Sequence, residues 1–264
     1  MLASPLEEQP IVPTEPFDHV WDVIQLTTSV ESAVAVKSGI NRWLEASPSV
    51  RYIAPLVAYF LVLGLSSKQA SALAWETPLQ VFMLALVCVV CWPRDLSLRP
   101  VSMLASIAVG VAVFFLWIAP DVLIPGYRTW PPFSNAIVGH IHSSLPAEAL
   151  RSPWVLFWRT VRAALIVPVI EELFWRAWLM RWLINTDFQK VPLGAFTPLS
   201  FFVTAILFAS EHGPYWDVGL LTGFVYNWWM IRTKSIGNCV LMHGVTNLLL
   251  SVYVICYAQW QYWQ

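Results

Sequence analysis

From Arg51 onward the chain alternates apolar runs with short polar breaks, and the length of the runs sets the architecture. Uninterrupted apolar stretches of this kind predict membrane-spanning helices rather than strands. The runs cover about Tyr52 to Leu65, Pro78 to Trp92, Val101 to Ala119, Trp154 to Ile184, Pro198 to Glu211, Val218 to Ile231 and Ile236 to Tyr257. The expected fold is therefore all-α, a polytopic transmembrane helical bundle of about seven spans. Several runs fall short of the roughly 20 residues needed to cross the hydrocarbon, so their flanks must contribute or the bilayer must thin.

The first 48 residues differ in kind. They hold five prolines and seven acidic residues against Lys37 and Arg42, which predicts a flexible acidic tail. Within it, Val20 to Leu44 reads as an interfacial amphipathic helix, and no signal peptide is apparent. The organisation expected is a tail over 1–48, N-terminal transmembrane helices with a long loop over 49–153, and a catalytic helical core over 154–264. Lys and Arg are more frequent in the loops that lie inside when the N-terminus is cytoplasmic, which favours that orientation.

Composition agrees with the pattern. Hydrophobic residues make up 58% of the 264 and charged residues 12%, against about 25% charged in soluble domains. The sixteen tryptophans suit interfacial belts. A net charge of -1, with no basic cluster, excludes a nucleic-acid footprint. Cys88, Cys91, Cys239 and Cys256 lie in apolar runs and read as packing residues, the Cys88–Cys91 spacing notwithstanding. His140 and His142, in the loop from Pro120 to Pro153, have the spacing of a metal pair but no third ligand follows, so an ordinary polar loop is expected.

Candidate chemistry starts in the fourth run, at Glu171-Glu172-Leu173-Phe174-Trp175-Arg176. On insertion scales a charge at the helix centre costs roughly 2.5 to 3.5 kcal/mol, so something must offset two carboxylates. Arg176 lies one turn beyond Glu172, the spacing at which the two pair. Glu171 points about 100° away from that pair. One glutamate is thus fixed by the arginine and the other left for chemistry.

His212 ends the fifth run, and the last run carries His243 with Asn247 one turn on, on the same helix face. A poorly solvated carboxylate is a competent general base towards water. A histidine can orient that water or pass its proton on, and a second histidine with an amide can stabilise an oxyanion. Plainer readings stand beside this one: Glu172 and Arg176 as a structural ion pair, His212 bonded to a backbone carbonyl, and His243 with Asn247 as interhelical glue. Ser210 lacks the elbow context of a nucleophile.

These motifs, Glu171-Glu172-x-x-x-Arg176, Phe208-x-x-x-His212 and His243-x-x-x-Asn247, resemble those of the CAAX protease and bacteriocin-processing (CPBP, or Abi) intramembrane endopeptidases, over about Leu165 to Tyr253. The aromatic surroundings are similar to the CAAX prenyl protease-related branch found beside bacterial exosortase systems. The resemblance implies an enzyme that hydrolyses a peptide bond of a membrane-associated polypeptide. Glu171 would activate water, His212 would be its partner, His243 and Asn247 would line the oxyanion site, and Glu172 and Arg176 would support it. The competing reading is a non-catalytic immunity or scaffold protein of the same fold. No cofactor is expected; the minority alternative is zinc held by Glu171, His212 and His243. The partners expected are the lipid bilayer and a peptide or protein substrate, with a link to an exosortase-type sorting system, in a bacterial inner membrane. Glu211, beside His212, either competes for the histidine's proton or turns away. Glu171 falls mid-membrane and His212 at the end of a run, and either a helix tilt or a break at Pro168 would bring them level.

Overall fold

A computed structural model describes Leu44, residues 46–66 and residues 69–263. The expected tail over 1–48 and the amphipathic stretch from Val20 lie outside the described residues, apart from Leu44 and residues 46–48. Residues 48–264 form one compact unit.

That unit is a bundle of seven helices, and the described residues contain no β-strand beyond one isolated bridge between Asn135 and Gly139. We number them α1 (Val50–Gly64), α2 (Ala70–Cys91), α3 (Met103–Leu123), α4 (Pro153–Trp182), α5 (Pro198–Ser210), α6 (Trp216–Thr233) and α7 (Ile236–Tyr257). Four of them, α2, α3, α4 and α7, are long and apolar enough to cross a membrane; α1 and α5 are shorter apolar helices. The protein is an integral membrane protein.

Each predicted run corresponds to one helix, and the largest boundary difference is in α2. It begins at Ala70, about two turns before Pro78, which lies inside the helix. Proline at 78 leaves the Ala74 carbonyl without its helical N–H, and Trp154 Nε1 of α4 donates to that carbonyl instead, at 2.8 Å. The starts of α4, α5 and α7 follow from their caps. The Ser152, Thr197 and Ser235 side chains accept from backbone N–H groups of their first turns, and Pro153 and Pro198 occupy positions where a missing N–H costs nothing.

Helix α7 packs against α3, α4 and α6, while α5 pairs with α6 and α1 with α2. On its α4 face α7 presents Gly244, where a Cβ would sit 2.8 Å from the Ala164 carbonyl oxygen. Only glycine allows that approach, and it places the preceding residue, His243, beside the glutamates of α4. On the α3 face Thr246 Oγ1 donates to the Gly110 carbonyl at 3.0 Å.

Helix α4 is irregular around Pro168. Arg162–Ile166 and Leu173–Leu179 wind as π-helix on either side of a short α-helical piece, Val167–Glu172. Wider turns of this kind recur at functional sites. The cause of the first is readable. Val167 N–H bonds to the Arg162 carbonyl, so the same register would give the Ala163 carbonyl the N–H of residue 168, which proline lacks. Asn247 Nδ2 donates to that carbonyl instead, at 2.9 Å. The irregularity expected near Pro168 is present, and a side chain from α7 completes it.

Candidate active site

The i,i+4 pair forms inside α4: Arg176 Nη1 lies 3.1 Å from Glu172 Oε1, both side chains fully buried. A buried guanidinium needs more than one partner. Arg176 Nε donates to Asn227 Oδ1 of α6 at 3.2 Å, and Asn227 Nδ2 donates onward to the Phe201 carbonyl of α5 at 2.8 Å. The guanidinium carbon lies 4.5 Å from the Phe208 ring centre and 5.2 Å from that of Tyr226, so two aromatic faces share the charge. The arginine thereby ties α4, α5 and α6 together at the level of the glutamates.

His243 reaches the same carboxylate from α7, with Nδ1 2.9 Å from Glu172 Oε1. A carboxylate held by an arginine accepts, so Nδ1 carries the hydrogen and Nε2 is the free nitrogen. Nε2 lies 3.9 Å from Glu171 Oε2. The two adjacent glutamates therefore stand at opposite nitrogens of one imidazole. Glu171 Oε2 has no hydrogen-bond partner among the described residues. A gap of that length is too long for a direct bond and short enough for one bridging water.

His212 follows α5. Its Nδ1 lies 2.8 Å from the Phe208 carbonyl oxygen, which can only accept, so here too Nδ1 is the donor and Nε2 the free nitrogen. The ring packs edge-on to Trp117 of α3, centroids 5.2 Å apart. Gly219 of α6 lies beneath it; a Cβ there would meet His212 Cγ and Nδ1 at 3.2 Å.

A cavity of about 200 Å³ joins these groups. Glu171, His212, His243 and Asn247 all line it, together with Tyr226 and Thr246. Glu172 and Arg176 lie behind it and do not line it. Residues from α4, from the α5–α6 junction and from α7 thus meet at one small space.

Residues 153–249 match the family described as Type II CAAX prenyl endopeptidase Rce1-like. The chain carries an Rce1-like segment. It holds every residue of the three motifs and nearly coincides with the stretch from Leu165 to Tyr253 that carries the resemblance in the sequence. The Rce1-like family is a family of proteases, so peptidase chemistry applies at the family level. No curated protein and no solved structure matches the chain.

Outside the motifs, the Rce1-like segment supplies Asn227 and Tyr226, which sequence reasoning passed over. Asn227 had a signal, a fully buried amide in the middle of an apolar helix. Trp117, Tyr262 and Trp263 also line the cavity, from outside the segment; nothing local in the sequence marks them. Tyr262 is held by its hydroxyl, which donates to Asp121 Oδ2 at 2.9 Å, and Asp121 in turn pairs with Arg128 Nε at 3.0 Å. Burial and the neighbouring Asp121 carboxylate push the Tyr262 phenol well up, so it stays a donor.

Glu211 is exposed and does not line the cavity. Its charge nonetheless acts on Glu171 and Arg176. His140 and His142 bond locally, to Ser134 Oγ at 2.7 Å and to the His140 carbonyl at 2.9 Å. Among the described residues no group of three or more His, Cys, Asp and Glu side chains is placed to hold a metal ion. Glu171, His212 and His243 share a cavity wall without converging as ligands. Cys88, Cys91 and Cys239 are buried as packing residues, whereas Cys256 is exposed on the outer face of α7.

Proposed function

We propose that this protein is an integral-membrane endopeptidase that hydrolyses a peptide bond of a membrane-associated polypeptide with a water activated by Glu171. The observation that carries the reading is the common cavity of Glu171, His212, His243 and Asn247. The Rce1-like match over the same residues supports it.

The chemistry follows from the donors and acceptors. A water between Glu171 Oε2 and His243 Nε2 gives a proton to Glu171 as its oxygen attacks the carbonyl carbon. The C=O electron pair moves onto the oxygen, and donors lining the cavity stabilise that charge. Asn247 Nδ2 has two hydrogens; one is committed to the Ala163 carbonyl and the other is free for the oxyanion. His243, its Nδ1–H held by Glu172, accepts the water's second hydrogen at Nε2 and so orients the oxygen for attack. When the C–N bond breaks, the proton held by Glu171 passes to the leaving amine, directly or through His212. The products are a carboxylic acid, which gives up its proton to solvent on release, and an amine, and no nucleophile of the protein is acylated. A divalent metal, if bound, would be held by Glu171 and His243 and would polarise the carbonyl.

The substrate class is a polypeptide presented at or within the bilayer, and a sorting-related polypeptide fits a bacterial setting. The test is turnover of a quenched peptide library by the full chain in lipid nanodiscs, with His212→Ala beside the wild type and each with and without chelator. Cleavage by the wild type, weakened by His212→Ala and insensitive to chelator, serine reagents and thiol reagents, is the expected result. Inhibition by chelator would replace the unassisted water with a metal-bound one. Absence of cleavage in every lipid composition would favour a binding protein of the same fold.

A further inference from the structure

Next to the catalytic cavity lies a larger one, of about 600 Å³, between α1, α2, the first turns of α4 and residues 142–146. The two share Tyr59, Ala163, Val167 and Trp263 as common wall. Its lining includes two arginines one turn apart on α4, Arg159 and Arg162. The site described above uses neither.

Arg162 is 7% exposed. Its hydrogen-bond partner is the side-chain oxygen of Gln80, a neutral amide on α2. Gln80 is oriented for this: its Nε2 donates to Ser66 Oγ at 2.6 Å, and Ser66 Oγ donates to the Val62 carbonyl at 3.0 Å. The amide oxygen is thus directed at the guanidinium by a chain of side-chain bonds. Among the described residues no carboxylate pairs with Arg162. Arg159 faces the same space, with Nη2 3.0 Å from Ser144 Oγ and its guanidinium carbon 4.9 Å from the Trp263 ring centre. Arg162, a buried guanidinium that faces a cavity with no anionic partner among the described residues, is arranged for an anion that arrives from outside.

We propose that this second cavity binds a carboxylate carried by the substrate peptide, with Arg162 as the principal contact and Gln80 as its positioning residue. A peptide is favoured over a lipid headgroup because the cavity continues into the catalytic one, so a chain spanning the shared wall reaches Glu171. The planar guanidinium suits a carboxylate held by two parallel bonds. The inference rests on the endopeptidase reading for what lies next door, while its test reads binding and needs no turnover.

The full chain carrying Glu171→Gln is placed in phosphatidylcholine nanodiscs. Three fluorescent probes are titrated: a short apolar peptide with a free C-terminal carboxylate, its C-terminal amide, and the amide bearing one aspartate side chain. Tighter binding of the first, the third or both, by about tenfold or more over the plain amide, is expected from a charge-assisted contact, and which of the two gains names the source of the carboxylate. Adding Arg162→Gln should bring the ratio to about one. Adding Gln80→Glu should do the same while raising Tm, because it supplies an internal carboxylate to the same guanidinium; this variant carries the test if Arg162→Gln fails to fold. Equal affinities for all probes in the Glu171→Gln protein, or a preference that survives both variants, would overturn the proposal. So would selective retention of phosphatidylglycerol by the protein with Arg162 but not by Arg162→Gln, which would assign the cavity to a lipid phosphate. Failure of the endopeptidase reading would show as absent turnover with these affinities intact, and failure of the carboxylate site as the reverse.

Discussion

His243 donates through Nδ1 to Glu172 Oε1 at 2.9 Å, and that bond aims its other ring nitrogen at Glu171. Glu172 in this account is a positioning residue that sets the tautomer of the imidazole from behind, in the manner of the carboxylate of a hydrolytic triad. Its adjacent neighbour faces the cavity. The division of labour between two sequential glutamates comes from which end of one histidine each of them meets.

The pair Glu172–Arg176 should therefore show strong coupling. Glu172→Gln leaves a fully buried guanidinium without its countercharge, and Arg176→Met leaves the carboxylate; each should cost about 3 to 5 kcal/mol of stability. The double variant, which removes both charges, should cost less than the sum by more than 1 kcal/mol. Thermal unfolding of the four proteins in one detergent measures the cycle. Additive losses would mean that the 3.1 Å contact carries little energy.

Asn247 holds a backbone carbonyl as well as facing the cavity. Asn247→Ala should lower stability by about 1 to 3 kcal/mol, because the Ala163 carbonyl loses its partner, and should also lower turnover. Pro168→Ala restores an N–H to that register. Combined with Asn247→Ala it should recover much of the stability and none of the activity. Recovery of both would assign Asn247 a purely structural role.

Gly219→Ala tests how closely His212 must be placed. The new methyl would meet the ring at 3.2 Å, so the ring must move. A misplacement of about 1 Å at a reacting centre costs about a hundredfold in rate, and the smaller shift needed here should cost part of that. We expect a fall in kcat with Tm nearly unchanged, and no further fall when the change is made on a His212→Ala background. Wild-type turnover in Gly219→Ala would remove His212 from the reaction.

The parts of this arrangement that follow from short-range spacing were legible in the sequence. Apolar runs gave a helix each, and the i,i+4 spacing paired Glu172 with Arg176. The long-range parts were not. Spacing sent Glu171 about 100° away from its neighbour, but could not show that one histidine from α7 would lie between the two. Spacing also gave no hint that Asn247 would complete the ladder broken by Pro168, since that depends on how closely Gly244 lets α7 approach. Nothing local marked Arg162, because its partner, Gln80, lies on another helix. Tyr262 and Trp263 follow the last helix in a short turn with no pattern of its own, and only the packing places them at the cavity.

The central claim is that Glu171 activates water, and the most direct measurement is the kcat of Glu171→Gln against wild type on one cleaved peptide, in nanodiscs, with Tm recorded for both. The account predicts a loss of about a hundredfold to ten-thousandfold with Tm unchanged or higher, because the variant removes a buried carboxylate oxygen that has no hydrogen-bond partner among the described residues. A variant that folds as well as the wild type and cleaves at a comparable rate would contradict it.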